Sequence, residues 1–122
     1  MINIIPPAFI HYTDKLPANV AGRSSWLLVE IRKGYEADKG ILMHELFHVK
    51  VWWLTLGPLG ILLRNHPRFR LWNEAAAYKV QIQHPNKNGG YMTIDEAAAR
   101  LAGPHYGFGI TQEQAKQHIL NS

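Results

Sequence analysis

The sequence contains no cysteine, and this absence excludes disulfide bonds, thiolate metal sites and cysteine nucleophiles. Any transition-metal site in the chain must therefore use His, Asp or Glu side chains as ligands. Because a chain without cysteine is compatible with reducing and oxidising surroundings alike, its composition leaves the compartment open.

A dense stripe of charge of one sign is also missing. The 13 Lys and Arg side chains are interspersed with 9 Asp and Glu, for a formal net charge of +4. Basic residues gather only in short clusters such as Arg64, Arg68 and Arg70. Nucleic-acid-binding proteins usually show a denser basic surface or a recognisable module. We therefore expect no specific nucleic-acid partner, and only a mild attraction to anionic surfaces.

Long uninterrupted apolar runs are absent as well. The most hydrophobic run, VKVWWLTLGPLGILL, extends from Val49 to Leu63 and is interrupted by Lys50 and Gly57-Pro58. It is too short to cross a bilayer as one helix, which needs about 20 apolar residues. We expect a buried helix followed by an apolar turn rather than a transmembrane segment. The alternative for the pair Trp52-Trp53 is that it faces a membrane surface or a partner.

At 122 residues and 47% hydrophobic the chain has the size of a single domain, so one domain is expected over residues 1–122, and it has no internal repeat and no low-complexity tract. Its first residues, MINIIPPAFIHYTD, carry two prolines and no basic leader ahead of the apolar residues. This is not the pattern of a signal peptide.

The N-terminal part of the sequence predicts a small, mostly antiparallel sheet. Residues 2–12 indicate an extended first segment around Pro6-Pro7 and an edge strand. The clearest strand is SWLLVEIR, Ser25 to Arg32, with turns predicted at Ala21–Arg23 and Lys33-Gly34. Its two faces are Trp26, Leu28 and Glu30, and Leu27, Val29 and Ile31.

Four helices are predicted to follow. Asp38 is a suitable N-cap for a helix that ends before Gly57-Pro58, and this helix is apolar nearly all round, so it should be central and largely buried. Pro67 suits the first position of a second helix that ends near Gln83. The sequence thus predicts an α+β fold in which the sheet packs on this helix pair. Two further C-terminal helices are indicated by capping-box patterns, Thr93 with Glu96 and Thr111 with Gln114.

The stretch HELFH, residues 44–48, carries the strongest chemical signal. Side chains four residues apart share a helix face, so His44 and His48 can present two imidazole nitrogens to one ion. Glu45 is placed beside that ion, where its carboxylate can take a proton from a metal-bound water. The alternative is a pair of core histidines. Burying two imidazoles and a carboxylate in an apolar helix is costly, however, unless an ion satisfies them.

A catalytic zinc site normally needs a third protein ligand and an open position. Glu74 is the predicted ligand, because it lies within an apolar stripe of the second helix formed by Leu71, Ala75, Tyr78 and Ile82. The small residues Ala75–Ala77 would let this helix approach the histidine helix closely. The alternatives are that Glu74 is a solvated helix acid, or that the third ligand is His66, His84, Asp95 or His105.

HELFH together with Glu74 in NEAAAY resembles the gluzincin class of zinc metallopeptidases. That class has His-Glu-x-x-His and a glutamate ligand on a later helix, often within Glu-x-x-Ala, and the resemblance covers about residues 25–83. It implies one zinc ion bound by His44, His48 and Glu74, with Glu45 as the general base and a peptide or protein as substrate. Compact chains of this kind look like minimal catalytic cores of bacterial and phage peptidases. Because no signal peptide is indicated, the expected location is cytoplasmic or virion-associated.

The chain departs from the gluzincin pattern at Tyr78. Larger members often carry an acid at this position, which orients a ligating histidine. The departure implies that Asp95 or a backbone carbonyl takes this role, or that zinc is bound less tightly. Tyr78 is instead a candidate donor to the oxyanion, as are His105 and Tyr106, although core or loop packing is the alternative for all three. Members of the class usually bind substrate along an edge strand, and Trp26–Arg32 is the predicted strand.

Two other functions stay open at this stage. The first is a non-catalytic metal-binding protein, or an assembly protein of a phage or secretion system, that docks a partner through Trp52, Trp53 and the run Gly57–Leu63. The second is a protease with His66 as third ligand that acts near DNA, where Arg64–Arg70 would contact phosphate. The sequence favours a zinc-dependent endopeptidase or a closely related amide hydrolase over both.

Overall fold

A three-stranded sheet forms the N-terminal part of the computed structural model, which describes residues 8–25 and 27–122. Its strands are β1 (Phe9–Thr13), β2 (Gly22–Ser25) and β3 (Leu28–Arg32). β3 is central and pairs parallel with β1 and antiparallel with β2. The sheet is therefore mixed, and β1 and β2 form its two edges.

Five α-helices follow the sheet in the described residues, and the predicted α+β class is confirmed. A short 3₁₀ turn, Gly57–Gly60, precedes the second of them. The apolar turn predicted after the first helix is seen here, whereas the short helix that follows it was not predicted. The helices are α1 (Lys39–Leu54), α2 (Ile61–Arg64), α3 (Pro67–Gln81), α4 (Ile94–Leu101) and α5 (Gln112–Leu120).

The helices begin where their capping residues predict. Asp38 accepts a hydrogen bond of 2.9 Å from the backbone N–H of Ile41, and Pro67 is the first residue of α3. Both predicted capping boxes form, at Thr93 for α4 and at Thr111 for α5. These four starts depend on hydrogen bonds between near neighbours in sequence, so local patterns are sufficient to predict them.

The single strand predicted over residues 25–32 is wrong at its start. Ser25 belongs to β2 and lies opposite Leu28 of β3, and Leu27 lies in a turn. The segment Gly22-Arg23, predicted to be a turn, also lies in β2. The sequence of β2, GRSS, has no alternating apolar residues, and its strand conformation depends on pairing with β3.

The alternation predicted for β3 is confirmed, because Val29 and Ile31 are fully buried beneath the sheet while Leu28 is exposed. Trp26, which was assigned to the Leu28 face, lies outside the described residues. The extended segment predicted before residue 8 also lies outside them. The edge strand predicted there is seen as β1, which begins at Phe9.

α1 is the central element, as predicted, because it packs against β2 and β3 on one side and α3 on the other. Val29, Ile31 and Val49 form the hydrophobic cluster between β3 and α1. The end of α1 departs from the prediction of a largely buried helix, since Trp53 and Leu54 are exposed. A second cluster joins α3 to α4 and α5, and its buried residues are Ala75, Tyr78, Ala97, Ala98, Leu101, Ala115 and Ile119.

Gly22 lets β2 lie close to the part of α1 that carries Glu45. A Cβ atom at Gly22 would lie 2.7 Å from Cγ2 of Ile41 and 3.5 Å from Cγ of Glu45. The first distance is too short for two carbon atoms, so a larger residue would require the Ile41 side chain, the strand or the helix to shift. The absent side chain therefore sets the spacing between the sheet edge and α1.

The chain bends sharply after α1. Leu56 and Gly57 both have positive φ, 65° and 58°, and the axes on either side of this break differ by 93°. Arg64 stabilises the bend by donating hydrogen bonds to Thr55 Oγ1 at 2.8 Å and to the carbonyl of Gly57 at 2.6 Å. In the described ranges no single helix is long and apolar enough to cross a membrane, and α1 passes that test only as a bent pair with Gly57–Arg64.

Candidate metal centre

Three predicted ligands come together between α1 and α3. The Nε2 atoms of His44 and His48 lie 3.2 Å apart. Glu74 places Oε2 at 3.4 Å from His44 Nε2 and Oε1 at 3.2 Å from His48 Nε2. Among the described residues, no other group of three or more His, Asp or Glu side chains gathers its ligand atoms closely enough to hold one metal ion.

The separations within this cluster suit a tetrahedral ion. When ligand atoms lie about 2.0 Å from such an ion, neighbouring ligand atoms are about 3.3 Å apart. The two histidine nitrogens lie 3.2 Å apart, and each lies 3.2–3.4 Å from a different oxygen of the Glu74 carboxylate, so these distances are close to this edge length. Two imidazole nitrogens and a carboxylate form a donor set that zinc accepts, and three protein ligands leave the fourth position open.

Two polar atoms of the cluster are buried without a hydrogen-bond partner in the described part of the chain. These atoms are His44 Nδ1 and Glu74 Oε2. A buried polar atom without a partner costs about 1–3 kcal/mol. A cation between the three side chains would satisfy Glu74 Oε2, so the residues present fit a metal better than they fit a pair of core histidines.

Asn73 orients His48, and sequence reasoning missed it. His48 Nδ1 donates a hydrogen bond of 3.0 Å to Asn73 Oδ1. Because an amide oxygen only accepts, Nδ1 keeps its hydrogen, and the neutral ring has its lone pair on Nε2, toward His44 and Glu74. Asp95, predicted for this role, is exposed and pairs with Lys116 at 3.2 Å. One feature of the sequence could have indicated this role: Asn73, which has an amide side chain, directly precedes the proposed ligand Glu74.

Glu45 lies beside the cluster without being one of its three converging groups. Its side chain is buried, and its Oε1 atom lies 3.8 Å from His44 Nε2. Together with His44 it lines a cavity of about 960 Å³ that also includes Tyr78 and His105. This position gives the carboxylate access to a molecule in the cavity while most of its surface is shielded from bulk water.

The predicted oxyanion donors lie on the wall of this cavity. The ring of Tyr78 packs edge-on against His44, with centroids 4.6 Å apart, and its hydroxyl lies 2.8 Å from that of Tyr106. Burial raises the pKa of Tyr78 to about 12. Burial and the negative charge of Glu74 also raise the pKa of Tyr106. Both phenols are therefore protonated at neutral pH, and His105 is exposed beside Tyr106 with ring centroids 5.0 Å apart.

A smaller cavity of about 460 Å³ reaches the cluster from another direction. His48, Asn73 and Glu74 line it together with Ser24 and Ser25 of β2. The premise that the strand 26–32 is an edge strand, free to bind substrate, is wrong for the part that the structure describes. β3 is paired on both edges, whereas β2 is an edge strand and contributes to the cavity beside the ligands.

The alternative third ligands do not join the cluster. His66 is exposed and forms the N-cap of α3, where its Nδ1 accepts a hydrogen bond of 3.2 Å from the backbone N–H of Arg68. His84 and His105 line the larger cavity, and Asp95 pairs with Lys116. The ligand atoms of these four residues are not part of the converging group.

The pKa values in the cluster are coupled. Burial by itself would lower the pKa of His48, but the hydrogen bond and charge of Glu74 outweigh it and raise that pKa from 6.5 to about 9. Burial would raise the pKa of Glu74, but the imidazoles of His44 and His48 beside its carboxylate outweigh burial and lower that pKa well below its ordinary value. The metal-free cluster therefore holds a proton on His48 near pH 7, and a metal ion must displace it.

We expect the metal-free protein to lose stability as the pH rises from about 6.5 to about 9. In this window the folded chain retains the His48 proton that the unfolded chain has released, so the free energy of unfolding falls by on the order of 2–3 kcal/mol. The stabilisation by added zinc should increase over the same pH window, because His48 is protonated in a smaller fraction of the molecules and zinc has fewer protons to displace. Urea unfolding at several pH values, with a chelator and with zinc, measures how the free energy of unfolding changes with pH in each case. If the metal-free His48→Gln protein showed the same pH dependence as the metal-free wild type, the His48 proton would not be its origin.

Comparisons with known proteins identify no family for this chain. No family model, no curated protein and no solved structure matches this chain. The resemblance to gluzincins depends on HELFH, on Glu74 and on the geometry that brings them together, and membership of that class stays a prediction.

Proposed function

We propose that this protein is a zinc-dependent peptidase that hydrolyses internal peptide bonds. One observation carries the proposal: His44 Nε2, His48 Nε2 and the Glu74 carboxylate converge at 3.2–3.4 Å with the buried Glu45 beside them. Three nitrogen and oxygen ligands, an open fourth position and an adjacent carboxylate are the elements of a hydrolytic zinc site.

In the proposed mechanism His44, His48 and Glu74 would hold the ion, and Asn73 would keep His48 in the tautomer that ligates through Nε2. When bound, zinc would lower the pKa of a water toward about 7 and would polarise a substrate carbonyl. Glu45 accepts the proton of the attacking water and delivers it to the leaving amine. Its burial beside His44 keeps that proton transfer within the site.

The oxyanion that develops on the substrate carbonyl needs a hydrogen-bond donor. Tyr78, Tyr106 and His105 supply the candidates, since all three line the larger cavity with Glu45. The hydrogen bond between the two tyrosine hydroxyls uses one of their two hydrogens, so the accepting phenol keeps a hydrogen for another acceptor. We assign this role to the tyrosine pair, with His105 as the donor at the cavity rim.

The substrate is inferred to bind in extended form along β2. This strand is at an edge of the sheet, and Ser24 and Ser25 line the smaller cavity together with His48 and Glu74. A peptide that adds to a sheet edge gains backbone hydrogen bonds regardless of its side chains. Such bonds to β2 would bring a peptide to the metal ligands.

The proposal is tested by metal content and by cleavage in the same preparation. Protein purified without added metal should carry about one zinc per chain. It should cleave a proteome-derived peptide library at internal bonds, read by mass spectrometry. A strong chelator should abolish this cleavage, and added zinc should restore it. A protein that contains no zinc and takes up none would refute the proposal.

A second candidate function is a non-catalytic metal-binding or assembly protein. The observation that favours it is the exposed apolar surface between Trp53 and Leu63. A chain that holds zinc but cleaves no peptide in the library would support this candidate. The protease acting near DNA is disfavoured, because His66 caps α3 instead of joining the cluster.

A further inference from the structure

The end of α1 and the segment after it expose an unusual amount of apolar surface. We call residues 53–63 the apolar tip. Its large apolar side chains are between 42% and 86% exposed. Large contiguous apolar patches on a protein surface usually mark a docking site. The exposed side chains are Trp53, Leu54, Leu56, Leu59, Ile61, Leu62 and Leu63.

The apolar tip has a defined conformation. Leu56 has a left-handed φ of 65°, which costs free energy for a residue with a Cβ atom, and its side chain is nevertheless exposed. Hydrogen bonds from Arg64 to Thr55 and Gly57 tie the two sides of the bend together. The leucines of the apolar tip are therefore exposed on a turn that is held in place by hydrogen bonds, although burying them would stabilise the isolated fold.

The charged residues next to the apolar tip in the sequence have one sign. Between Glu45 and Glu74 the chain contains no Asp or Glu. The same interval contains Lys50, Arg68 and Arg70, which are exposed, and Arg64 within the bend. An apolar surface bordered by cations is complementary to a bilayer with anionic headgroups.

We propose that the apolar tip inserts into the interface of an anionic lipid bilayer. Leu59 and Leu62, the two most exposed side chains of the tip, would reach deepest, and Lys50 and Arg68 would lie among the headgroups. The tip lies on the bilayer without spanning it, because it is far shorter than the about 20 residues that a span needs. The rest of α1 packs against the sheet and α3.

A bilayer suits this surface better than a protein does. Leu59 and Leu62 are each more than four-fifths exposed, so they protrude and would need matching pockets on a protein partner. Acyl chains adapt to any protruding shape. A second copy docked tip to tip would bring two cation-bordered surfaces together, and like charges oppose such a contact.

Docking through the apolar tip would hold the candidate metal centre near the membrane surface. Ile61 and Arg64 line the same smaller cavity as His48 and Glu74. If the proposed function holds, substrates with a cleavable segment close to a bilayer surface are favoured. This consequence rests on the proposed function, whereas the docking itself does not.

Vesicle flotation of the full chain tests the docking without an activity assay. The wild type should float with phosphatidylcholine vesicles that contain about one-third phosphatidylglycerol, and its partition coefficient should fall as salt screens the headgroups. Leu59→Ser/Leu62→Ser should lower that coefficient at least about tenfold, because two leucines that would be buried in the bilayer are lost. The matched control, Tyr91→Ser/Leu120→Ser, removes two exposed apolar side chains elsewhere and should float like the wild type.

Two results would overturn the docking: a wild type that stays unbound with anionic vesicles, or a Leu59→Ser/Leu62→Ser protein that floats as well as the wild type. Circular dichroism checks that the variant is folded. Sedimentation without vesicles identifies the other occupant, since a dimer lost in this variant, with no flotation, would assign the tip to a second copy. Glu45→Gln should float like the wild type, so failure of the peptidase proposal is distinguishable from failure of the docking.

Discussion

Glu45→Gln should abolish peptide hydrolysis while the protein keeps its zinc. The amide has nearly the size of the carboxylate, but it cannot accept the proton of the attacking water. General-base catalysis contributes a factor of about 10²–10⁴, so we expect turnover to fall by at least that much. Metal content should stay at about one ion per chain, because Glu45 lies 3.8 Å from His44 Nε2 and is not part of the converging group.

The measurement compares turnover of one library-identified peptide with zinc content in the same samples. Glu36→Gln is a matched control, because Glu36 is an exposed acid in the turn before α1 and its role as a hydrogen-bond acceptor survives the change. It should cleave like the wild type. A Glu45→Gln protein that retains wild-type turnover would remove Glu45 from the chemistry, and one that loses its zinc would make Glu45 a ligand or a structural support.

Glu74→Ala should release the metal. Without this carboxylate only two imidazoles remain, and the loss in affinity should exceed the about 10–100-fold that removal of a residue behind a ligand costs. The stabilisation of the fold by zinc, which depends on the ratio of free metal to dissociation constant, should disappear with it. Elemental analysis and competition with a chromogenic chelator measure both quantities.

Two further variants serve as comparisons for the loss of zinc in Glu74→Ala. Asn73→Ala removes the acceptor for His48 Nδ1 and should weaken zinc binding by about 10–100-fold without abolishing it. His66→Ala should leave binding unchanged, because that side chain caps α3. Zinc that is kept by Glu74→Ala and lost by His66→Ala would assign the third ligand to His66 and favour the protease acting near DNA.

Sequence reasoning predicted helices well and strands poorly, for a common physical reason. Four helices begin where capping residues or a proline within three or four residues of the N-terminus predict it, namely α1, α3, α4 and α5. β2 has a polar sequence and is a strand because β3 pairs with it. Pairing between strands is not a local property, so the central position of β3 and the edge position of β2 were not predictable from alternation.

Sequence alone determined that His44 and His48 share one helix face, since the 3.6-residue period is set by hydrogen bonds within the helix. It also determined that any metal ligand must be His, Asp or Glu. Only the tertiary structure decided which groups join the pair. The packing of α3 on α1 brings Glu74 to the two histidines, places Asn73 behind His48 and leaves His66 outside. Such choices depend on contacts between distant segments, which no local pattern encodes.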